Sequence, residues 1–598
     1  MRLTRAGLLA GAGALALTAP ACRKAPPVPA ATRTCLLLDG PQAPVGFDAT
    51  FSITAKLDCP GLGGGRVVWS QIEGPTLRDF APARDGFGLT ARMPPLAGAV
   101  GGPPPWGVVP VSPRTRSEVV LRATWSDDSG HTITGDVRVA AAGRSRGLPN
   151  TPVGVRIYLG GQGWRITAHP EDSRASLITA GGIASLLPDV TGDWRLADGD
   201  GRTLALRTGR YDETPLDCGR AGCHAAIANA VAASPMTTVL ARLMDQRPAA
   251  DYPRCAIACH ATGEPGAPDG GFAHVVSELG AAGDLTRRWD ALPRDLHRLG
   301  GVGCLACHGP GAVPELSARW AVLRADVCAT CHDAPPRYGH VVAWRQTAMA
   351  RADQDPRTRR DPTCARCHTT SGFLAAVATP ERGPVDRRPP DEAGSVGITC
   401  SACHAVHDPR QASPTARLLR ATAAPALVAD APNSVCLPCH TPDPGEKIPS
   451  ASTAALLFGR GGLDPVTGTA IKSAAPHSAV PGGCVGCHRG GPENVERGAG
   501  HAFRAPPSTC TPCHRQGLPM NDIRARAEQL WHSLRGGEYR APAHAAQAIA
   551  ADRTTPRGRA IWNLLLVLED RAADTHNAPY ARSLLDAAAA VLQKRGAR

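Results

Sequence analysis

What this chain can fold into is constrained most by a five-residue pattern, Cys-x-x-Cys-His, that recurs seven times between Cys304 and His514. The copies are Cys304-Leu-Ala-Cys307-His308, Cys328-Ala-Thr-Cys331-His332, Cys364-Ala-Arg-Cys367-His368, Cys400-Ser-Ala-Cys403-His404, Cys436-Leu-Pro-Cys439-His440, Cys484-Val-Gly-Cys487-His488 and Cys510-Thr-Pro-Cys513-His514. Two looser copies lie upstream: Cys218 and Cys223-His224 enclose four residues, and Cys255 and Cys259-His260 enclose three. Successive histidines of the regular copies are 24, 36, 36, 36, 48 and 26 residues apart. No copy has room for a domain of its own, so whatever these residues hold must form much of the core.

Cysteine pairs also build tetrahedral zinc sites, but zinc does not require a histidine directly after the second cysteine of every pair. Covalent haem does. Two thiols add to two vinyl groups on one porphyrin edge, two intervening residues let both sulfurs reach, and the next residue ligates iron from below. The pattern therefore implies haem c at the seven regular copies and, with the looser spacings, about nine in all. Their proximal ligands would be His224, His260, His308, His332, His368, His404, His440, His488 and His514. Aromatic residues are only 4% of the chain, and porphyrin faces would supply the missing apolar surface. Nine further histidines follow Cys218: His274, His297, His340, His407, His477, His501, His532, His544 and His576. They are candidate distal ligands, and their number permits a second imidazole on every iron without requiring it.

Residues 1–22 join Arg2 and Arg5 to an apolar run, Ala6 to Ala21, and end in Cys22. This reads as a secretory signal, with an ending similar to that of bacterial lipoproteins, in which Cys22 would carry lipid, the alternatives being simple cleavage or an uncleaved anchor. Residues 23–33 read as a Pro/Ala linker. Attachment of haem c outside the bacterial inner membrane requires export, so the expected location is the periplasmic side of a membrane or the cell surface. The nine motifs use 18 of 21 cysteines, leaving Cys22, Cys35 and Cys59. Cys35 and Cys59 suit a disulfide in an oxidising compartment, the alternative being two buried thiols.

Between 34 and 149, short alternating runs (50–56, 66–70, 118–125, 132–139) broken by Gly, Pro and Asp predict an all-β sandwich. Trp69 followed by Glu73-Gly74-Pro75 resembles polycystic-kidney-disease or immunoglobulin-like domains, in which a strand Trp packs across two sheets. A second small β domain is expected over 150–212, with Asp198-Gly-Asp-Gly-Arg202 as a hairpin turn. His131 and His169 read as surface residues. From 213 to 598 the expectation is a mainly α, loop-rich domain ending in helices over 521–538, 558–570 and 579–593. In the second of these Ile561, Leu564, Leu565 and Leu568 fall at helical spacing.

The ending Trp562 to Leu585, with His576-Asn577, resembles the C-terminal helices of the multihaem cytochromes that include cytochrome c nitrite reductase and hydroxylamine oxidoreductase. That resemblance implies that His576 is a distal haem ligand. It gives the same role to His297 and His477, each seven residues before an attachment motif, and to His407 and His501. Where those proteins often have Trp-x-x-Ser-x-His, this chain has Trp344-Arg-Gln-Thr-Ala-Met349, and Ser234-Pro-Met236 follows the first motif. Met349 and Met236 are therefore expected as thioether ligands that raise a haem's potential, the alternative being methionines that fill core space. None of the five lysines follows a cysteine pair, which closes the Cys-x-x-Cys-Lys route to nitrite reduction.

The net charge of +13 is carried mostly by scattered arginines, and eighteen propionates on nine haems would bring it to about −5. Nucleic acid is excluded as a partner. The sequence implies an exported carrier of electrons between a donor and an acceptor protein, lipid-anchored to a membrane. The alternative is an oxidoreductase with one five-coordinate haem acting on a small nitrogen or sulfur compound. A third reading, adhesion through the β domains, leaves the motifs unexplained.

Overall fold

The computed structural model describes residues 35–596 apart from a set of segments, the longest being 94–107, 111–117, 141–149, 247–256, 312–322, 378–395, 408–418, 489–498 and 541–550. Cys22, Cys59, Cys223, Cys255 and His544 fall outside the described residues.

Alternation decides the first unit. In β2 (Thr50–Leu57) every second side chain is buried, so Phe51, Ile53 and Ala55 form one face. That strand sits in a sheet of order β1-β2-β5-β4, with β1 at Leu36–Asp39, β4 at Arg78–Pro82 and β5 at Gly88–Arg92. Facing it is a three-stranded sheet, β3-β7-β8, from Arg66–Glu73, Glu118–Ser126 and Thr132–Ala140. Trp69 and Trp125 fill the space between, with Leu89, Met93 and Leu121. Trp69 gives its indole N–H to the Gly86 carbonyl at 2.8 Å. Gly86 has φ +77°, and a Cβ there would meet the Val67 carbonyl at 2.4 Å, so only glycine permits this close crossing. Cys35 is disulfide-bonded, and its carbonyl accepts from Asp58 N at 2.7 Å.

The second β unit holds two sheets. In one, β14 (Gly192–Ala197) and β15 (Thr203–Gly209) form the hairpin expected around Asp198, with β11 (Arg165–Ala168) and β9 (Asn150–Pro152) at its edges. In the other, β12 (Leu177–Ala180), β13 (Ile183–Leu186) and β10 (Ile157–Leu159) are joined by β6, Val108–Pro110. This edge strand comes from the stretch ahead of residue 149.

The last part of the chain is helical and short-elemented until its end. Helices Ile523–Arg535 and Ala573–Gly596 flank Pro556–Glu569. The central helix starts at Pro556, where the Thr555 hydroxyl accepts from Gly558 N at 3.0 Å. Its spacing suggested one apolar face, yet every residue from Ala560 to Leu568 is buried, as for a helix enclosed on all sides. Asn577 breaks the last helix (φ −161°, ψ 76°), and its Oδ1 accepts from Tyr580 N, so a new helix begins just ahead of Pro579. No helix among the described residues is long and apolar enough to cross a membrane.

Candidate haem-binding array

Each regular motif forms a single helical turn or ends a short helix, for example Cys304–His308, Pro362–His368 and Gly483–His488. In three of them the histidine amide bonds the carbonyl of the first cysteine, from His404 at 2.8 Å, His440 at 3.0 Å and His514 at 2.8 Å. One turn places positions i, i+3 and i+4 on one face. Both thiols and the imidazole are thereby presented to one side, as a covalently held, axially ligated ring requires.

The motifs are packed against one another. Thiols of separate motifs lie beside one another in the pairs Cys218–Cys304, Cys328–Cys400, Cys367–Cys439 and Cys436–Cys484. Cys307 lies near Cys328, Cys403 near Cys436, and Cys487 near Cys510 and Cys513. The motifs at 218, 304, 328, 400, 436, 484 and 510 thus follow one another as neighbours in space. The motif at 255 adjoins this series where Cys331 Sγ reaches the Cys259 carbonyl at 3.7 Å. The motif at 364 adjoins it where Cys439 Sγ lies 3.9 Å from the Arg366 carbonyl.

Imidazole–metal bonds are about 2.0–2.1 Å long and a ring nitrogen lies about 1.1 Å from its ring centre, so two imidazoles across one metal have centroids about 6.3 Å apart. Four pairs of a motif histidine and a distal candidate stand near that separation. They are His308–His407 at 6.1 Å, His404–His501 at 6.3 Å, His514–His477 at 5.9 Å and His488–His576 at 6.2 Å. His332 and His340 are closer, at 5.6 Å, with planes at 83°. Burial lowers the pKa of His260, His308, His332 and His440, that of His332 to about 4. These rings are therefore neutral at pH 7, the form that binds metal.

No family model matches the chain. A search of curated proteins finds the C-type polyheme cytochrome OmcB of Geobacter sulfurreducens, in two strains, each 30% identical over 119 residues. The match covers 18% of this chain and 16% of the relative's length. That similarity and the 21 cysteines suggest haem c as the cofactor. Among solved structures, the tandem Ig repeats of Dlar are 13% identical, covering 29% of this chain and 97% of theirs at a TM-score of 0.11. The Yersinia pseudotuberculosis adhesin InvE is 13% identical, covering 31% and 63% at 0.12. The β architecture rests on strand pairing.

The other distal candidates are placed differently. His297 stacks on Trp289 with centroids 4.7 Å apart and engages its Nε2 with the Trp289 carbonyl at 2.7 Å. His274 sits 3.4 Å from Glu278 and near Asp212, the three ligand atoms lying within 4.8 Å of one another. Asp212 is itself paired with Arg210 at 2.8 Å. His532 is exposed on its helix. Met349 packs against Phe373, Ile398 and Ala402 in a small apolar cluster that also takes in Cys439, and Met236 is half-buried in helix Pro235–Gln246. His131 and His169 are exposed and pair locally with Asp127 and the Pro170 carbonyl.

Two participants had no signal in the motifs. Arg366, inside the 364 motif, bridges to Asp443 at 2.6 Å and Glu446 at 3.5 Å, tying that motif to the loop after His440. Asp570 accepts from His576 Nδ1 with both oxygens. Burial alone would lower the pKa of His576, but this bond and the charge beside it raise it.

Proposed function

We propose that the protein is an exported multihaem c-type cytochrome that carries electrons along about nine covalently bound haems. The observation that carries this reading is the repeated pairing of a motif histidine with a second imidazole at the separation two ligands take across one iron. On this reading His407, His501, His477, His576 and His340 would join His308, His404, His514, His488 and His332 in holding the irons. Bound haem would supply the one-electron chemistry. The chain's own residues do the rest. The cysteines would hold neighbouring groups along the succession of motifs, buried neutral imidazoles would supply ligands, and apolar clusters around Leu296, Phe373 and Val428 exclude water.

The second β unit supports the same reading by its seat on the array. Asn150 Nδ2 donates to the His308 carbonyl at 3.3 Å, Tyr211 N bonds Asp269 O at 2.8 Å, and Tyr211 is buried beside Leu305. We assign the β units to positioning the array relative to a membrane or a redox partner. Anchoring through a lipid on Cys22, a Cys35–Cys59 disulfide and donor and acceptor proteins complete the proposal.

A second reading, an oxidoreductase on a small nitrogen or sulfur compound, is favoured by one observation. Among the described residues no second imidazole comes into ring contact with His224, His260, His368 or His440. Electron paramagnetic resonance of the oxidised protein, with iron counted on the same sample, separates the two. Nine low-spin haems support the carrier; a high-spin component equal to about one haem supports the enzyme. An iron count far below nine per chain overturns both.

A further inference from the structure

Two adjacent residues, Thr575 and His576, serve two neighbouring sites in different ways. The Thr575 carbonyl accepts from His477 Nδ1 at 2.6 Å, and His477 faces His514. His576 faces His488, and its own Nδ1 is held by the Asp570 carboxylate at 2.7 and 2.9 Å. Asp570 is 3% exposed and is fixed in turn by the Ala572 amide at 3.1 Å. His488 and His368 also give Nδ1 to carbonyls, those of Phe503 and Ala352. Hydrogen-bond acceptors behind a ligating imidazole raise its basicity, and an anionic acceptor in a low-dielectric interior does so more than a neutral one.

We propose that Asp570 is a positioning residue for His576 that makes this imidazole a stronger donor and thereby holds the site at Cys484, Cys487 and His488 at a lower reduction potential than its carbonyl-backed neighbour at Cys510, Cys513 and His514. The inference rests on the ligand pairs proposed above. It gives the succession of motifs a downhill step between its last two members, from the 484 site to the 510 site.

Asp570→Asn keeps the size and one acceptor and removes the charge. In a spectropotentiometric titration of the purified holoprotein, one one-electron step should move upward while the others stay in place. One low-spin resonance should shift its g-values, with the haem count unchanged. Asp570→Glu, which restores the charge, should return that step toward the wild-type position. If Asp570→Asn does not accumulate, Asp570→Thr offers a smaller neutral acceptor with the same expected shift. His576→Ala, made in parallel, should convert one low-spin haem to high-spin. That conversion together with a neutral Asp570 variant whose titration superimposes on wild type overturns the inference alone. A silent His576→Ala overturns the ligand pairing beneath it.

Discussion

Asn563 is a polar side chain in the middle of the most enclosed helix of the molecule, fully buried, and its replacement tests how the segment carrying His477 is held. Its Oδ1 accepts from Leu463 N at 2.9 Å and its Nδ2 donates to Leu463 O at 2.7 Å, so one side chain satisfies both backbone groups of a strand residue. Leu463 belongs to a two-residue ribbon with Ala470. The same ribbon is held by the Tyr580 hydroxyl, which accepts from Gly462 N at 2.7 Å and donates to Ile471 O at 3.1 Å. Asn577 Nδ2 then bonds Ser473 O, four residues before His477. Asn563→Ala leaves a partly buried donor and acceptor without partners, at about 1–3 kcal/mol each and less where water enters, so the opening free energy of this segment should fall by about 2–4 kcal/mol. In native-state hydrogen exchange, peptides covering 460–475 should exchange about 30- to 1,000-fold faster. The three C-terminal helices, which keep their apolar contacts, should change far less. A change below about threefold in that segment, or equal loosening throughout the helices, would refute the reasoning.

Three further outcomes are expected. His407→Ala should convert one low-spin haem to high-spin in the oxidised spectrum, and an unchanged spectrum removes His407 as the ligand opposite His308. Tyr580→Phe should destabilise the C-terminal helices by about 1–3 kcal/mol in urea unfolding, because two buried backbone partners lose their bonds; a neutral effect would mean that water replaces the hydroxyl. Cys59→Ser should cost the first β unit about 2–4 kcal/mol, and non-reducing peptide mapping of the wild type should recover a 35–59 linked pair, whereas two alkylatable thiols would refute it.

Local chemistry was legible in the sequence and long-range pairing was not. Alternation in Thr50–Leu57 marks a half-buried strand because its period of two depends only on neighbours. The turn at Asp198-Gly-Asp-Gly is equally local, and Gly201 adopts φ +80° there. The edge strand Val108–Pro110 has three residues and no alternation to detect, and it pairs with a strand nearly fifty positions away. Enclosure of Pro556–Glu569 on every side depends on the Gly462–Ile471 ribbon folding over it from about a hundred residues upstream. At the array, the spacing of each motif specifies its own turn, but nothing in the order of histidines says that His308 meets His407 across 99 residues. His297 shows the converse: its place before a motif suggests a ligand, while Trp289, eight residues earlier, offers both a stacking face and a carbonyl.

The contacts between thiols of different motifs bear on how the protein is made. Cys328 against Cys400, Cys367 against Cys439 and Cys436 against Cys484 are pairs that the finished fold brings together from distant parts of the chain. In an oxidising compartment such neighbours would be joined by air-driven chemistry if the chain folded first. On the proposed reading, covalent attachment must then outrun folding, motif by motif as the chain emerges, and each thiol consumed by a porphyrin edge is one removed from a dead-end crosslink. On that reading maturation is a race, and the close packing that would favour electron exchange in the mature form sets how fast that race must be won.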